Sequence, residues 1–430
     1  MSSPNRKLQQ RREATPSPVV AGQPMSRAEL AEAVNDYLWR VDGQRSDLDA
    51  HAIARYERGA VRWPGAHYRR AMCAVLHATE RELGFTARRH RADLERDALS
   101  VNVLSPFDPD AALLATNARS TSAIRVGWED IHNIRSITRS IASMENAHGG
   151  GSAAEVAATQ LAAVTPLLGG RVAPAARHAL FEAVGNLSGI AAYCAFDIGA
   201  HATAERHLRF ALWCADSAGS WNLRAATLAD MARRSAYLGN DDGALSLIEL
   251  AQVRSDRLTY TTRAMLSTMR AQFLSRLDRF DEASSEVARA DEHFMQREPE
   301  RDPPWMCYYD LAEHLGSAGK ALIPVAMACN DAEPAESRIR EAIRLYGEQY
   351  PRSRVFSRIR LATLIMWIGD PRHATMTGMM AVEEGARFRS RRVRDELRGM
   401  ADAATRHRRI PTVGALLDTL EHVTKAEMRP

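Results

Sequence analysis

The chain is short of several residue types, and each shortage excludes something. Aromatics make up only 6% of its 430 residues. Alanine is abundant instead, which favours helices packed closely through small side chains. No uninterrupted apolar run approaches the roughly 18–20 residues that cross a bilayer. Met1 to Arg12 is polar and basic with no apolar signal core behind it. A cytoplasmic protein with no membrane attachment is expected. The five cysteines (Cys73, Cys194, Cys214, Cys307, Cys329) form no CxxC pair, so neither a zinc knuckle nor a redox dithiol is indicated. In a reducing compartment they should be free thiols, mostly buried as small apolar fillers.

Catalytic signatures are missing as well. There is no HExxH, no Walker lysine loop, no GxGxxG between strand and helix, and no GxSxG nucleophile elbow. His148-Gly149-Gly150-Gly151 is superficially like an esterase oxyanion loop, but without that elbow it reads as a flexible break between helices. His201 and His207 stand six apart and lack zinc-protease spacing. We expect no enzyme, no cofactor and no metal. No stretch alternates like a strand, so the fold class is all-α.

Charge is unevenly placed. Residues 1–90 hold 15 Lys/Arg against 10 Asp/Glu, a net +5, while the remainder holds 42 against 43, a net −1. A local positive excess is what attraction to a phosphate backbone requires. Lysine occurs only at positions 7, 320 and 425; the preference for arginine has no bearing on nucleic acid.

Within the basic head the helix signals are clear. Asn5 to Ala14 reads as a short helix with Leu8 inward, followed by a loop marked by Pro16, Pro18, Gly22 and Pro24. Ser26 with Glu29 forms a capping box for a helix to about Arg40, with Leu30, Val34, Tyr37 and Leu38 on one face. Asp49 caps a third helix that Gly59 stops, with Ile53 and Tyr56 inward and Ala50, His51 and Arg55 on another face. A fourth helix is expected from about His67 to Leu83, ended by Gly84. Trp39 and Trp63 read as core residues.

Two segments carry a resemblance. Ser26-Arg27-Ala28-Glu29-Leu30-Ala31 resembles the S-x-x-E-L-A of the Xre-type, lambda-repressor-like helix-turn-helix family. Ile53-Ala54-Arg55-Tyr56-Glu57-Arg58-Gly59 resembles its I-S-x-x-E-x-G, and Pro64 stands where a proline often opens the next helix. The likeness covers roughly residues 5–85. It implies that Ala50, His51 and Arg55 face bases, Arg55 pairing with guanine and Ala50 touching a thymine methyl. Arg27 matches a phosphate-contacting position, and Arg58, Arg62 and Arg69 are placed for the backbone. Glu57 matches a glutamate that pairs with an arginine of the first helix, here Arg12. One departure is plain: Asp36 to Asp47 stands where the family has a tight turn.

Residues 86–127 read as a linker containing the domain boundary. Trp128 to Met144 has helical spacing at Ile131, Ile134, Ile137 and Ile141, and Ala154 to Leu168 is a further apolar helix. From about residue 178 the chain repeats itself. Gly199, Ala204 and Ala211 recur as Gly239, Ala244 and Ala251, then as Asp278, Ala283 and Ala290, units 40 and 39 residues apart. A later copy has Gly369, Ala374 and Ala381; the span Trp305 to Tyr346, interrupted by Pro324 and Pro334, looks irregular. Such a period means hairpins of helices stacked into a solenoid. The offsets resemble tetratricopeptide repeats, though with a longer period.

These observations divide the chain into a helix-turn-helix domain (1–85), the linker, and a tetratricopeptide-like α-solenoid (128–430). The solenoid's concave face is the expected place for a signalling peptide, small molecule or partner protein, with Asn186, Tyr193, Trp221, Arg224, Arg233, Tyr237 and Arg270 as candidate contacts. Met376, Met379 and Met380 are candidates for an adaptable apolar surface, with core packing as the default assignment. The function expected is a transcriptional regulator that binds double-stranded DNA as a homodimer. The alternative is a scaffold or adaptor whose helix-turn-helix has drifted away from DNA.

Overall fold

The computed structural model describes residues 4–20, 22–42, 46–61, 64–80, 82–85 and 125–425. Over them the chain is all-α, with eighteen α-helices and one pair of two-residue parallel strands, β1 (Arg125–Val126) and β2 (Arg171–Val172). It divides into two compact units, Met1–Ala98 and Leu99–Pro430. Most of the expected linker, through residue 124, lies outside the described residues.

Among the described residues the first unit has four helices: α1 (Arg6–Ala14), α2 (Arg27–Asp42), α3 (Ala50–Glu57) and α4 (Ala66–Val75). Leu8, Leu30, Val34, Leu38, Ile53, Tyr56, Met72 and Leu76 form one core. Ends are set by side chains that satisfy backbone donors the helix leaves unpaired. The Ser26 hydroxyl accepts from the Glu29 amide at 3.2 Å while the Glu29 carboxylate accepts from the Ser26 amide at 2.6 Å. Asp49 accepts from the Ala52 amide at 2.7 Å, and Gly59 takes the left-handed backbone (φ 71°) that ends α3.

Two expectations need correction. The fourth helix stops at Val75 rather than Leu83, because His77 adopts φ 48°; Leu83 still reaches the core from a following turn that Thr79 caps. Trp39 is 54% exposed rather than buried. It lies on the last turns of α2, which run on to Asp42 past the end of the core face; Trp63 lies outside the described residues. The departure at Asp36–Asp47 is pinched off at its base. Asn35 donates to the Leu48 carbonyl at 2.8 Å and accepts from the Leu48 amide at 3.1 Å.

The second unit has fourteen helices among the described residues: α5 (Trp128–His148), α6 (Gly150–Val164), α7 (Pro174–Asp197), α8 (His201–Ala218), α9 (Trp221–Tyr237), α10 (Asp241–Gln252), α11 (Tyr260–Arg276), α12 (Phe280–Met295), α13 (Leu311–Cys329), α14 (Glu333–Leu345), α15 (Pro351–Ile368), α16 (Pro371–Gly385), α17 (Arg391–Thr405) and α18 (Pro411–Lys425). From α7 onward they pack as consecutive pairs, and the first helix of each pair also packs on the first helix of the next. The repeated marks have physical roles. Ala204, Ala244, Ala283 and Ala374, with Ala211, Ala251, Ala290 and Ala381, are at most 1% exposed. At these crossings a larger side chain would overpack, at roughly 1–3 kcal/mol. Gly199, Gly239 and Asp278 all have positive φ at the turn between paired helices.

The irregular span conforms after all. Asn330 has φ 53° at the α13–α14 turn, and Ala335 and Ala342 follow at the same offsets of five and seven, both fully buried. The spacing from Ala283 is stretched by the loop between α12 and α13, which holds two short 3-10 turns.

By length and composition α7 passes as a membrane span, yet about two-thirds of its apolar window is buried inside the protein. Helices α5, α6, α8 and α9 pack around it.

The array also turns back on itself. Helix α5 packs against α15. Arg352 of α15 pairs with Glu145 of α5 and, at 3.2 Å, with Asp197 of α7; Asp197 accepts in turn from Ser390, ahead of α17, at 2.8 Å. The His148–Gly151 tract sits in this seam and is a tight joint, not a flexible break. A Cβ on Gly149 or Gly151 would come within 2.9 Å of Arg389, and one on Gly150 within 2.6 Å of the Cys194 carbonyl. The thiol expectation is met only in part: Cys194 and Cys214 are buried, Cys73 is half-buried, and Cys307 and Cys329 are exposed, all unpaired.

Candidate functional site

The outer face of α3 is the first candidate. At 3.6 residues per turn His51, Arg55 and Arg58 fall within one arc, and all three are exposed while Ala50 is half-buried. The opposite face carries Ile53 and Tyr56 into the core. Behind it, Glu57 is 3% exposed and held from two sides, by the Arg12 Nε at 2.7 Å and the Arg27 Nε at 2.7 Å. Arg12 also donates to the Met25 carbonyl at 2.7 Å. This fixes the rotation of α3 against α1 and α2.

The remaining arginines of this set are placed differently. Arg27 keeps 46% of its side chain exposed although its Nε is engaged by Glu57. Arg69 is turned inward, to Glu80 at 2.9 Å and the Pro64 carbonyl. Arg62 lies outside the described residues.

The second candidate is the inner face formed by the first helix of each pair. Arg392 (α17) donates to the Tyr193 hydroxyl (α7) at 2.8 Å, and the guanidiniums of Arg352 and Arg392 lie 5.4 and 5.3 Å from the Tyr193 ring. On α9, Arg233 pairs with Asp230 and reaches the Met269 sulfur of α11 at 3.5 Å. The Tyr308 hydroxyl donates to the Met265 sulfur at 3.1 Å, and Tyr346 donates to Glu313 at 3.0 Å. Arg360 (α15) pairs with Glu396 (α17) at 2.9 Å.

Burial pushes the Asp230 carboxyl above its ordinary range despite Arg233 beside it. Burial acts the same way on Glu396, but Arg360 and Lys320 outweigh it and hold that carboxyl below its ordinary range. These side chains are not sealed off. Arg233 is 26% accessible and Glu396 31%, so water-sized space reaches the array.

Of the seven residues singled out for the concave face, Tyr193 and Arg233 belong to this array. Tyr237 sits at the seam, bonded to Asp395 of α17. Asn186 is half-buried on α7. The others support the fold: Trp221 packs on the core with Arg224 and Arg254 against its ring, Arg224 also bonds the Leu250 carbonyl, and Arg270 bridges Glu286 and Glu249. Sequence reasoning missed Asp230, Tyr308, Glu313, Lys320, Arg360, Arg392 and Glu396. A rare lysine among arginines was the one available signal.

A separate buried chain runs from Thr268 to the Tyr309 hydroxyl (2.9 Å), on to His314 (3.2 Å) and then Asp291 (2.8 Å). Burial opposes ionisation of Asp291, but bonds from His314 and Arg338 bring it down to about 2. Met376, Met379 and Met380 are exposed, at 73%, 39% and 45%, and line an open apolar groove with Val423 of α18; assigning them to the core is corrected. Among the described residues no three His, Cys, Asp or Glu side chains gather to hold a metal. Compared with protein-family models and with curated proteins, the chain matches none.

Proposed function

We propose that the chain is a DNA-binding transcriptional regulator: an Xre-like helix-turn-helix unit followed by a tetratricopeptide-like solenoid that acts as its sensor. The observation that carries the reading is α3, whose inner face is locked by the Arg12–Glu57–Arg27 cluster while His51, Arg55 and Arg58 remain exposed. A helix presented in this way fits the major groove, where an arginine fork recognises guanine and a cationic rim meets phosphate. The +5 charge of the first 90 residues favours the same partner. The stacked hairpins, with an inner polar face, supply the sensing module, and paired heads in a homodimer would read two half-sites.

Selection from a random duplex pool with the full chain tests this. We expect a motif to be enriched, with binding that weakens steeply as salt rises. Arg55→Ala should relax preference at one base pair, at a cost of about 1–3 kcal/mol. Retention of no duplex above background at low salt would sink the reading. Exposed Trp39 and Val41 on the extended end of α2 favour a second reading, an adaptor whose first unit docks protein; there Arg55→Ala has no effect on the partner's affinity.

A further inference from the structure

Helix α16 departs from the other second helices of the stack. Counted from the crossing alanine of each pair, Met376 stands where they carry Arg206, Ser246, Ser285 and Ser337. Met379 stands where three of the four carry a charge, Arg209, Glu249 and Arg340. Met376, Met379 and Met380 are all exposed, so the hairpin packs without them. Its inner side is complete: Ala374, Gly378 and Ala381 are buried, and a Cβ on Gly378 would come within 2.9 Å of Leu416 of α18. The methionines instead border a groove whose other wall is Thr419 and Val423 of α18. Flexible thioethers grouped on a surface are a mark of contact with another molecule.

Spacing and charge along α16 say what fits that groove. His373, Met376, Met380 and Glu383 follow one another at three, four and three residues, the spacing of a coiled-coil seam, and all four are exposed. Gly378 is the midpoint both of Met376 and Met380 and of His373 and Glu383. A second α16 laid antiparallel about that point sets Met376 of each copy against Met380 of the other. It also sets the Arg372–His373 end of each against Glu383 of the other. Both charges are available for this. Arg372 has no ion-pair partner among the described residues, and Glu383 has only Arg387 at 3.7 Å, on a side chain 77% exposed. They also run against the dipole of their own helix, positive in its first turn and negative near its end. An antiparallel neighbour compensates both, whereas a parallel one sets like charge on like. We propose that α16 and the groove it shares with α18 form a two-fold interface between two copies of this chain. Methionine fills its centre and Arg372–Glu383 pairs close its ends. The interface would hold together the paired heads of the regulator reading above, but it rests on α16 alone.

Sedimentation of the full chain over a concentration series should show a monomer–dimer equilibrium. Met376→Glu should weaken the dimer on the order of a hundredfold, because a carboxylate would be buried against Met380 of the other copy. Helical circular dichroism and melting of the monomer should be unchanged, since the position is exposed. Glu383→Arg should weaken the dimer about tenfold, and adding Arg372→Glu should restore it, as only the antiparallel register allows.

A monomer at every concentration would overturn the proposal and leave the groove to a helix of another protein. A dimer indifferent to Met376→Glu, or no rescue by the second charge reversal, would overturn it as well. So would dimerisation that appears only once residues 426–430 are removed, which would give the groove to those residues. A dimer that binds no duplex would leave this interface standing and remove the regulator reading alone; duplex binding by a chain that stays monomeric would do the reverse.

Discussion

In the first unit the buried carboxylate of Glu57 is gripped by two guanidiniums, whereas in the second the buried guanidinium of Arg352 is shared by two carboxylates, Glu145 and Asp197. Both are charges removed from bulk water, and they differ in the sign of the ion at the centre. A buried ion whose partners are all present fixes geometry, and here it fixes the rotation of α3 so that one face stays outward. The same chain uses charge to hold one surface still and to close the seam of the other unit.

Substitutions can break that contrast. The largest effect should come from Arg352→Met, because Arg352 is the shared partner of Glu145 and Asp197, both buried at the seam. Leaving two carboxylates uncompensated should cost the second unit at least roughly 3–5 kcal/mol, read as a lowered midpoint in chemical denaturation, with unfolding of the first unit unchanged. Next is Glu57→Ala, which strands Arg12 in the first unit. We expect about 3 kcal/mol of destabilisation there and loss of duplex binding even where the unit stays folded, monitored by circular dichroism and by DNA retention. Smallest is Asp49→Ala, which removes only the cap of α3, at about 1 kcal/mol. It should lower the thermal midpoint of the first unit slightly and leave the denaturation midpoint of the second unchanged; a change there would erase the distinction between the two units.

The parts of the molecule legible in the sequence are those with local causes. The Ser26–Glu29 box and the Asp49 cap are set by neighbours three residues away, and Arg12 could be matched to Glu57 because a motif fixed the glutamate's place. The small-residue marks at Ala204, Ala244 and Ala283 are likewise local to each hairpin. What could not be read depended on distant chain. Asn330 serves at its turn as glycine does elsewhere, and the stretched loop before α13 hid the repeat it belongs to. The glycines at 149–151 looked like a break because nothing nearby reveals that Arg389 lies against them. Helical periodicity showed that α13 and α15 have two faces but not which one turns toward the common interior, so Lys320 and Arg360 went unnoticed. Exposure of the three methionines on α16 has the same origin.

That contact between Gly149 and Arg389 bears on how the second unit can vary. In an open stack of hairpins a repeat can be added or removed at modest cost, because each unit answers only to its neighbours. Here the two ends of the stack meet, so the number of hairpins between residues 149 and 389 is set by a geometric condition. Excising one would leave the seam unable to shut, and a small change in tilt at any hairpin is felt where the ends join. Such a stack behaves less like a chain of independent links than like a hoop, in which strain introduced at one point must reappear around the circumference.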